Sequence, residues 1–152
     1  MRILAGLRPG VRSLRDVSPD DEARFFAMLP PVVRKRCRHV VSENARVLEA
    51  VAAMRSGDTG RLKILTAASH ASLRDDYEVS CRELDVLVEL ALALPACRGA
   101  RLTGAGFGGS TVNLVETPTI DFFSKSIVDD YRTRTGCLAE IYVVEPGANG
   151  IL

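Results

Sequence analysis

Between Gly99 and Gly109 five glycines fall within eleven residues, and the alternating, β-prone run Ser110-Thr111-Val112-Asn113-Leu114-Val115 follows them. Glycine has no Cβ, so such a stretch reaches backbone conformations that other residues avoid and lets a neighbour come close. Two kinds of chemistry are open to it. Its amide N–H groups could wrap a phosphate, or another segment could pack directly on its backbone. Gly104, Gly106 and Gly109 match the dinucleotide pattern G-x-G-x-x-G literally. That motif needs a helix after the loop, so that a pyrophosphate sits on the helix N-terminus. Here a strand follows, and the loop reads as a connection between two strands. A Walker A loop fails as well, because no Gly-Lys-Ser/Thr follows.

Other polar groups suggest less. Arg34, Lys35, Arg36, Arg38 and His39 form a basic run in a helical stretch. Helical geometry spreads them around most of the circumference, which favours a solvated face over a phosphate patch. His39 and His70 have no carboxylate or thiol at ligand spacing, so no metal site is expected. Ser69 and His70 are adjacent, and helical neighbours point about 100° apart, a poor geometry for a Ser-His catalytic pair. Arg74-Asp75-Asp76-Tyr77-Glu78 reads either as a substrate-contacting turn or as a helix C-terminus with exposed acids, and its charge pattern favours the second. Cys37, Cys81, Cys97 and Cys137 include no C-x-x-C pair, which argues against zinc ribbons and thioredoxin-like motifs. Scattered thiols suit a reducing, cytoplasmic setting.

The elements that must position these groups follow from periodicity. A chain of 152 residues with 47% hydrophobic and 26% charged residues has the make-up of one globular domain. Residues 1–18 read as an irregular N-terminal segment, 19–146 as the domain and 147–152 as a tail. A short helix is expected from Pro19 to about Leu29. A long one is expected from Pro31 to Ser56, with Val33, Cys37, Val40, Val41, Ala45, Leu48, Val51 and Ala52 on its apolar side and Gly57 closing it. A third should run from Thr59 to Asp75. Ser80 to Glu83 reads as a capping box opening a fourth, with Leu84, Leu87, Val88, Ala91 and Leu94 inward. Strands are expected at Ala100–Thr103, Ser110–Glu116 and Leu138–Glu145, with a helix from Pro118 between the last two. Helices packed on a small, mainly antiparallel sheet make an α+β fold. Three strands are few for a stable sheet, so a partner strand is expected from elsewhere. A net charge of +1 gives no reason to expect nucleic acid. No apolar run approaches the roughly 18 residues of a membrane span, and the N-terminal apolar stretch is too short for a signal peptide.

Two long segments, SHASLRDDYEVSCRELD (Ser69 to Asp85) and GARLTGAGFGGST (Gly99 to Thr111), closely resemble the C-terminal half of galactokinases of the GHMP kinase superfamily. RKRCRHVVSENARVLEA, from Arg34 to Ala50, resembles the long helix that precedes them in that family, and GVRSLRDVS, from Gly10 to Ser18, is also similar to family sequence. The resemblance spans about Gly10 to Tyr142. It implies a GHMP kinase C-terminal-lobe fold and a sugar kinase that moves the γ-phosphoryl of ATP to the C1 hydroxyl of α-D-galactose with Mg2+. It further implies that Thr103, Gly104, Ala105, Gly106, Phe107, Gly108 and Gly109 form the cofactor-binding loop near the nucleotide phosphates. Asp75 to Cys81 would pack beside the same cleft as support.

The departures divide the labour. The family's sugar-binding motif, its G-L-S-S-S-A ATP loop, its catalytic Asp with the neighbouring Arg, and its sugar-contacting Tyr are absent from this sequence. The resemblance therefore implies no catalytic residue and no metal ligand here, and an inactive chain in isolation. Its implied partners are galactose and ATP in the complete enzyme and a separately encoded N-terminal kinase lobe, with neither nucleic acid nor membrane. A non-catalytic interaction or regulatory module derived from a GHMP kinase is the alternative. Ser110 stands where Cys is usual, a nearly isosteric change. Arg82 stands where Pro is usual, with its charge on the unfavourable side of a helix dipole at a cost of roughly 0.3–1 kcal/mol.

Overall fold

The computed structural model describes Gly6 and residues 10–145. The tail read at 147–152 and most of the segment before Gly10 lie outside the described residues. Ser13 opens a short 3-10 turn, Leu14–Asp16, by accepting the Arg15 N–H at 3.2 Å while Asp16 accepts the Ser13 N–H at 2.8 Å. This reciprocal cap aims Val11 and Val17 inward, where they pack with Phe26, Leu29, Cys37 and Val41. The segment before residue 19 thus contributes two buried side chains.

Helix α1, Asp20–Phe25, gathers Asp20, Asp21 and Glu22 at its positive end and runs into a 3-10 turn, Phe26–Met28. Helix α2, Pro31–Ser56, begins on a proline at its first position and stops at Gly57, whose φ of 71° only glycine reaches cheaply. Both ends fall where Pro31 and Gly57 predicted them. Its buried face is narrower than expected and holds Cys37, His39, Val41 and Ala53, whereas Val33 and Leu48 are exposed. Helix α3, Thr59–Ser72, is capped by Asp58, which accepts the Arg61 N–H at 2.8 Å. It ends three residues before its expected limit, in a wide π-helical turn, Leu73–Tyr77, closed by Glu78 at φ 58°.

Helix α4, Arg82–Ala93, starts from Cys81. The capping box expected at Ser80 is not formed: Cys81 holds the N-cap position, and the Ser80 hydroxyl is turned to Asp85, to which it donates at 2.6 Å. Strands β1, Cys97–Thr103, and β2, Ser110–Val115, pair antiparallel from Thr103↔Ser110 to Cys97↔Val115, with a bulge between Cys97 and Gly99. Helix α5, Ile120–Thr135, follows and ends at Gly136 with φ 75°. Val88 and Ala91 of α4, Cys97 and Ala100 of β1, and Phe123 and Ile127 of α5 make one core cluster. Helix α3 lies on the other flank of β1, so close that a Cβ on Gly99 would stand 2.9 Å from Thr66 Oγ1. Glycine is needed there for the approach itself. Leu73, Leu84 and Leu102 join the wide turn, α4 and β1 in a third cluster.

The strand expected at Leu138–Glu145 is absent: residues 137–145 belong to no helix or strand. Leu138, Tyr142, Val143 and Val144 are between 61% and 81% exposed. Alternating apolar residues supply strand propensity, but a ladder also needs a sheet edge alongside, and none of the described edges is paired with this segment. No helix among the described residues is long and apolar enough to cross a membrane.

Candidate functional site

Thr103, Gly104, Ala105, Gly106, Phe107, Gly108 and Gly109 form one continuous surface turn between β1 and β2. Gly104, Gly106, Phe107, Gly108 and Gly109 all have positive φ. Phe107 is the costly member at φ 58°, and its ring is 74% exposed. Of the two roles open to the glycines, close approach by another segment is realised at Gly106. A Cβ there would lie 2.1 Å from the Val79 carbonyl oxygen, and the next N–H, of Phe107, donates to that oxygen at 2.7 Å. The amides of Gly104, Ala105, Gly108 and Gly109 have no protein acceptor among the described residues. The turn therefore offers a row of unshielded N–H donors with few side chains in front of them.

The segment that holds the turn is itself held by charge. Lys35 Nζ donates to Glu78 at 2.8 Å, Arg36 bonds the Asp76 carbonyl oxygen and the Glu78 carboxylate, and Arg38 bridges Glu22 at 2.5 Å and Asp76 at 3.4 Å. The basic run of α2 is thus not a free solvated face. It grips the 76–78 turn, and Arg34 donates to the carbonyls of Ala27 and Leu29. Among the acids of that turn, Asp75 is exposed and paired with Arg74, while Asp76 is half-buried and accepts from Ser72 Oγ at 3.1 Å. Lys35 and Arg36 hold the Glu78 carboxyl below its usual range.

Two histidines that spacing dismissed are structural pins. His39 Nδ1 lies 3.0 Å from Ser72 Oγ, whose proton goes to Asp76, so the ring nitrogen donates. The same ring lies 4.7 Å from Tyr77, centroid to centroid. His70 lies between Asp85 of α4, 3.1 Å from Nε2, and the Leu102 N–H of β1, 3.3 Å from Nδ1. Burial lowers the pKa of both rings and outweighs the carboxylates near them. Glu43 of α2 accepts from Ser69 Oγ at 2.6 Å, Arg46 at 2.8 Å and Arg101 at 2.9 Å. Burial raises the Glu43 carboxyl most, yet these donors together hold it below the ordinary value. Sequence spacing missed these links because all but the Glu43–Arg46 pair join separate elements. The one available signal was the complementarity of the 34–38 basic run and the 75–78 acidic run.

Comparison with known proteins follows the same outline. The family profile described as "GHMP kinases C terminal" matches residues 50–121. A galactokinase from Chloroflexus aurantiacus is 49% identical over 148 residues, 97% of this chain and 38% of its own length. One from Haemophilus influenzae is 46% identical over 139 residues, 88% of this chain and 36% of its own length. The crystal structure of Lactococcus lactis galactokinase complexed with galactose superposes with a TM-score of 0.85 at 37% identity, covering 90% of this chain and 36% of that one. The chain belongs with the galactokinases of the GHMP kinase family, as their C-terminal part. It spans somewhat over a third of the length of the relatives it matches. The galactokinase-like α+β fold with its small antiparallel sheet is accordingly present here.

Proposed function

We propose that this chain forms the glycine-loop side of the phosphoryl-transfer cleft of a galactokinase, which converts ATP and α-D-galactose to galactose 1-phosphate and ADP with Mg2+. The observation that carries this reading is the exposed turn 103–109 with its unbonded amides, in a chain that matches galactokinases along nearly its whole length. Thr103, Gly104, Ala105, Gly106, Phe107, Gly108 and Gly109 face the nucleotide phosphates on this reading. Phosphoryl transfer depends on positioning and on stabilising charge already spread over the phosphate oxygens. Backbone N–H donors do that without filling the cleft, and the bond from Phe107 to Val79 limits how far the turn can move.

No catalytic residue is assigned to this chain. ATP would supply the transferred phosphoryl group, and the residues that act on it would come from polypeptide corresponding to the remaining length of the relatives. Among the described residues no group of three His, Cys, Asp or Glu side chains could hold a metal ion, so no step through Mg2+ is assigned here. The partner is a kinase N-terminal lobe. The unpaired apolar run Leu138, Ile141, Tyr142, Val143 and Val144, together with exposed Val112 and Leu114 on β2, supports a large surface awaiting cover. All four cysteines are free thiols, which supports a cytoplasmic setting.

The test replaces the matching C-terminal 38% of the Chloroflexus aurantiacus galactokinase with this chain. The chimera is expected to release ADP in a galactose-dependent manner, and the 152-residue chain alone is expected to release none. A folded but inert chimera would favour the non-catalytic interaction module. Turnover by the chain alone would overturn the proposed division of labour.

A further inference from the structure

His70 is 4% exposed, and both of its ring nitrogens are engaged. An ionised carboxylate only accepts hydrogen bonds, so Nε2, 3.1 Å from Asp85 Oδ1, carries the ring proton. A backbone N–H only donates, so Nδ1, 3.3 Å from the Leu102 nitrogen, carries the lone pair. Both partners therefore require one neutral tautomer. Ser80 Oγ donates to the same Asp85 oxygen at 2.6 Å and steadies the carboxylate. Leu102 is 1% exposed and is the last buried residue of β1 before Thr103 and the turn. The imidazole thus grips the base of the glycine loop, and the Val79 carbonyl grips its tip.

We propose that His70 is a positioning residue for the glycine loop, holding its base through the Leu102 amide and releasing it when the ring takes a second proton. Any consequence for catalysis rests on the reading that this loop faces the phosphates. The grip itself does not. In the imidazolium, Nδ1 would point an N–H at the Leu102 N–H, two donors with no acceptor between them, and the bond is lost. The charged groups facing this region are Asp85 and Glu89 from α4, Arg101 from β1, and Arg74 and Asp75 from the turn after α3. Asp85 favours the imidazolium, whereas Arg74, Arg101 and above all burial oppose it. A groove of about 300 Å³ between α3 and α4, lined by Ala67, Ala71, Asp85 and Val88, reaches the ring from outside.

The test is a 15N NMR titration of the 152-residue chain with no nucleotide present. Expected are the Nε2–H tautomer at neutral pH, a His70 midpoint below 6.5, and shifts of the Leu102 and Gly104–Gly109 amides with that same midpoint. His70→Asn keeps an oxygen acceptor near the place of Nδ1 but cannot be protonated. Its loop amides are expected to match the neutral wild type and to stay constant with pH. His70→Leu, which has no acceptor, is expected to shift or broaden them at every pH. The Nδ1–H tautomer, loop amides indifferent to the His70 titration, or an Asn variant as perturbed as the Leu variant would each overturn the proposal. If the variants do not fold, the wild-type titration alone decides. An inert chimera would sink the kinase reading and leave this result standing.

Discussion

The backbone N–H of Phe107 and the carbonyl of Val79, 2.7 Å apart, tie the glycine loop to the residues leading into α4. That bond exists because Gly106, just before Phe107, has no side chain. The link between sequence and site is therefore steric, and it distinguishes one glycine of the loop from the others.

Gly106→Ala should lose at least about 2 kcal/mol of stability, from a left-handed φ of 82° and a Cβ overlapping the Val79 oxygen. Gly104→Ala meets no atom within 4 Å and carries only the strain of φ 77°, so about 1 kcal/mol is expected. Urea denaturation of the two variants checks this. Equal losses would mean that the close approach to Val79 contributes nothing.

Acid should weaken the fold in two stages. His39 and His70 both have folded pKa values below the ordinary 6.5. The unfolded chain then binds more protons than the folded one once the pH falls below about 6.5. Stability from these groups is complete above that value and drains away as the pH falls through the folded values. With both titrating, the slope can reach at most about 2.7 kcal/mol per pH unit. Glu43, also lowered, adds a second loss below about 4.5. Unfolding free energies measured between pH 4 and 8 test the order. Glu43→Gln should shrink the lower stage, to which Glu78 also contributes, and leave the upper one in place with the His39 pKa pushed further down.

Arg82→Pro should raise the melting temperature by about 2–4 °C. Arg82 is the first residue of α4, where proline fits, and Cys81 before it already has φ −139° and ψ 168°, which a following proline requires. The native side chain offers little in exchange. Its guanidinium lies 3.5 Å from the Arg134 carbonyl at the end of α5. Calorimetry on Arg82→Pro beside Arg82→Ala separates the two contributions. A lower melting temperature for the proline variant would show that the Arg134 contact matters more than the helix start.

What the sequence made legible was local. Pro31 and Gly57 act on their own backbone, so α2 could be bounded from them. Phe123, Ile127 and Tyr131, spaced at about one helical turn, lie inward on α5. The 103–109 turn joins two strands because the residues after it are β-prone. What stayed hidden depends on partners from other elements. Ser80 had the right residue type for a cap, but the helix opens one residue later, with Cys81 at the N-cap, and the Ser80 hydroxyl is turned to the Asp85 carboxylate. His70 looked like an isolated histidine because Leu102 and Asp85 arrive from β1 and α4. Leu48 fits the apolar spacing of α2, yet it is 74% exposed. A helix of 26 residues, about 39 Å long, outruns the core it packs on. The run at 138–145 has a strand's alternation, and only a sheet edge decides whether it becomes one.

The wide turn at Leu73–Tyr77 carries one more residue per cycle than the α-helix before it, so it acts as a phase insertion in the chain. Loss of Arg74 or Asp75 would let α3 wind on regularly, and because five residues of the wide turn and four of an α-helix each sweep about one full cycle, the chain beyond would keep its direction. Tyr77 and Glu78 would still face His39 and Lys35. A frame-preserving deletion of this kind is harsher on paper than many point substitutions, and in this fold it would leave the hold on the glycine loop aligned.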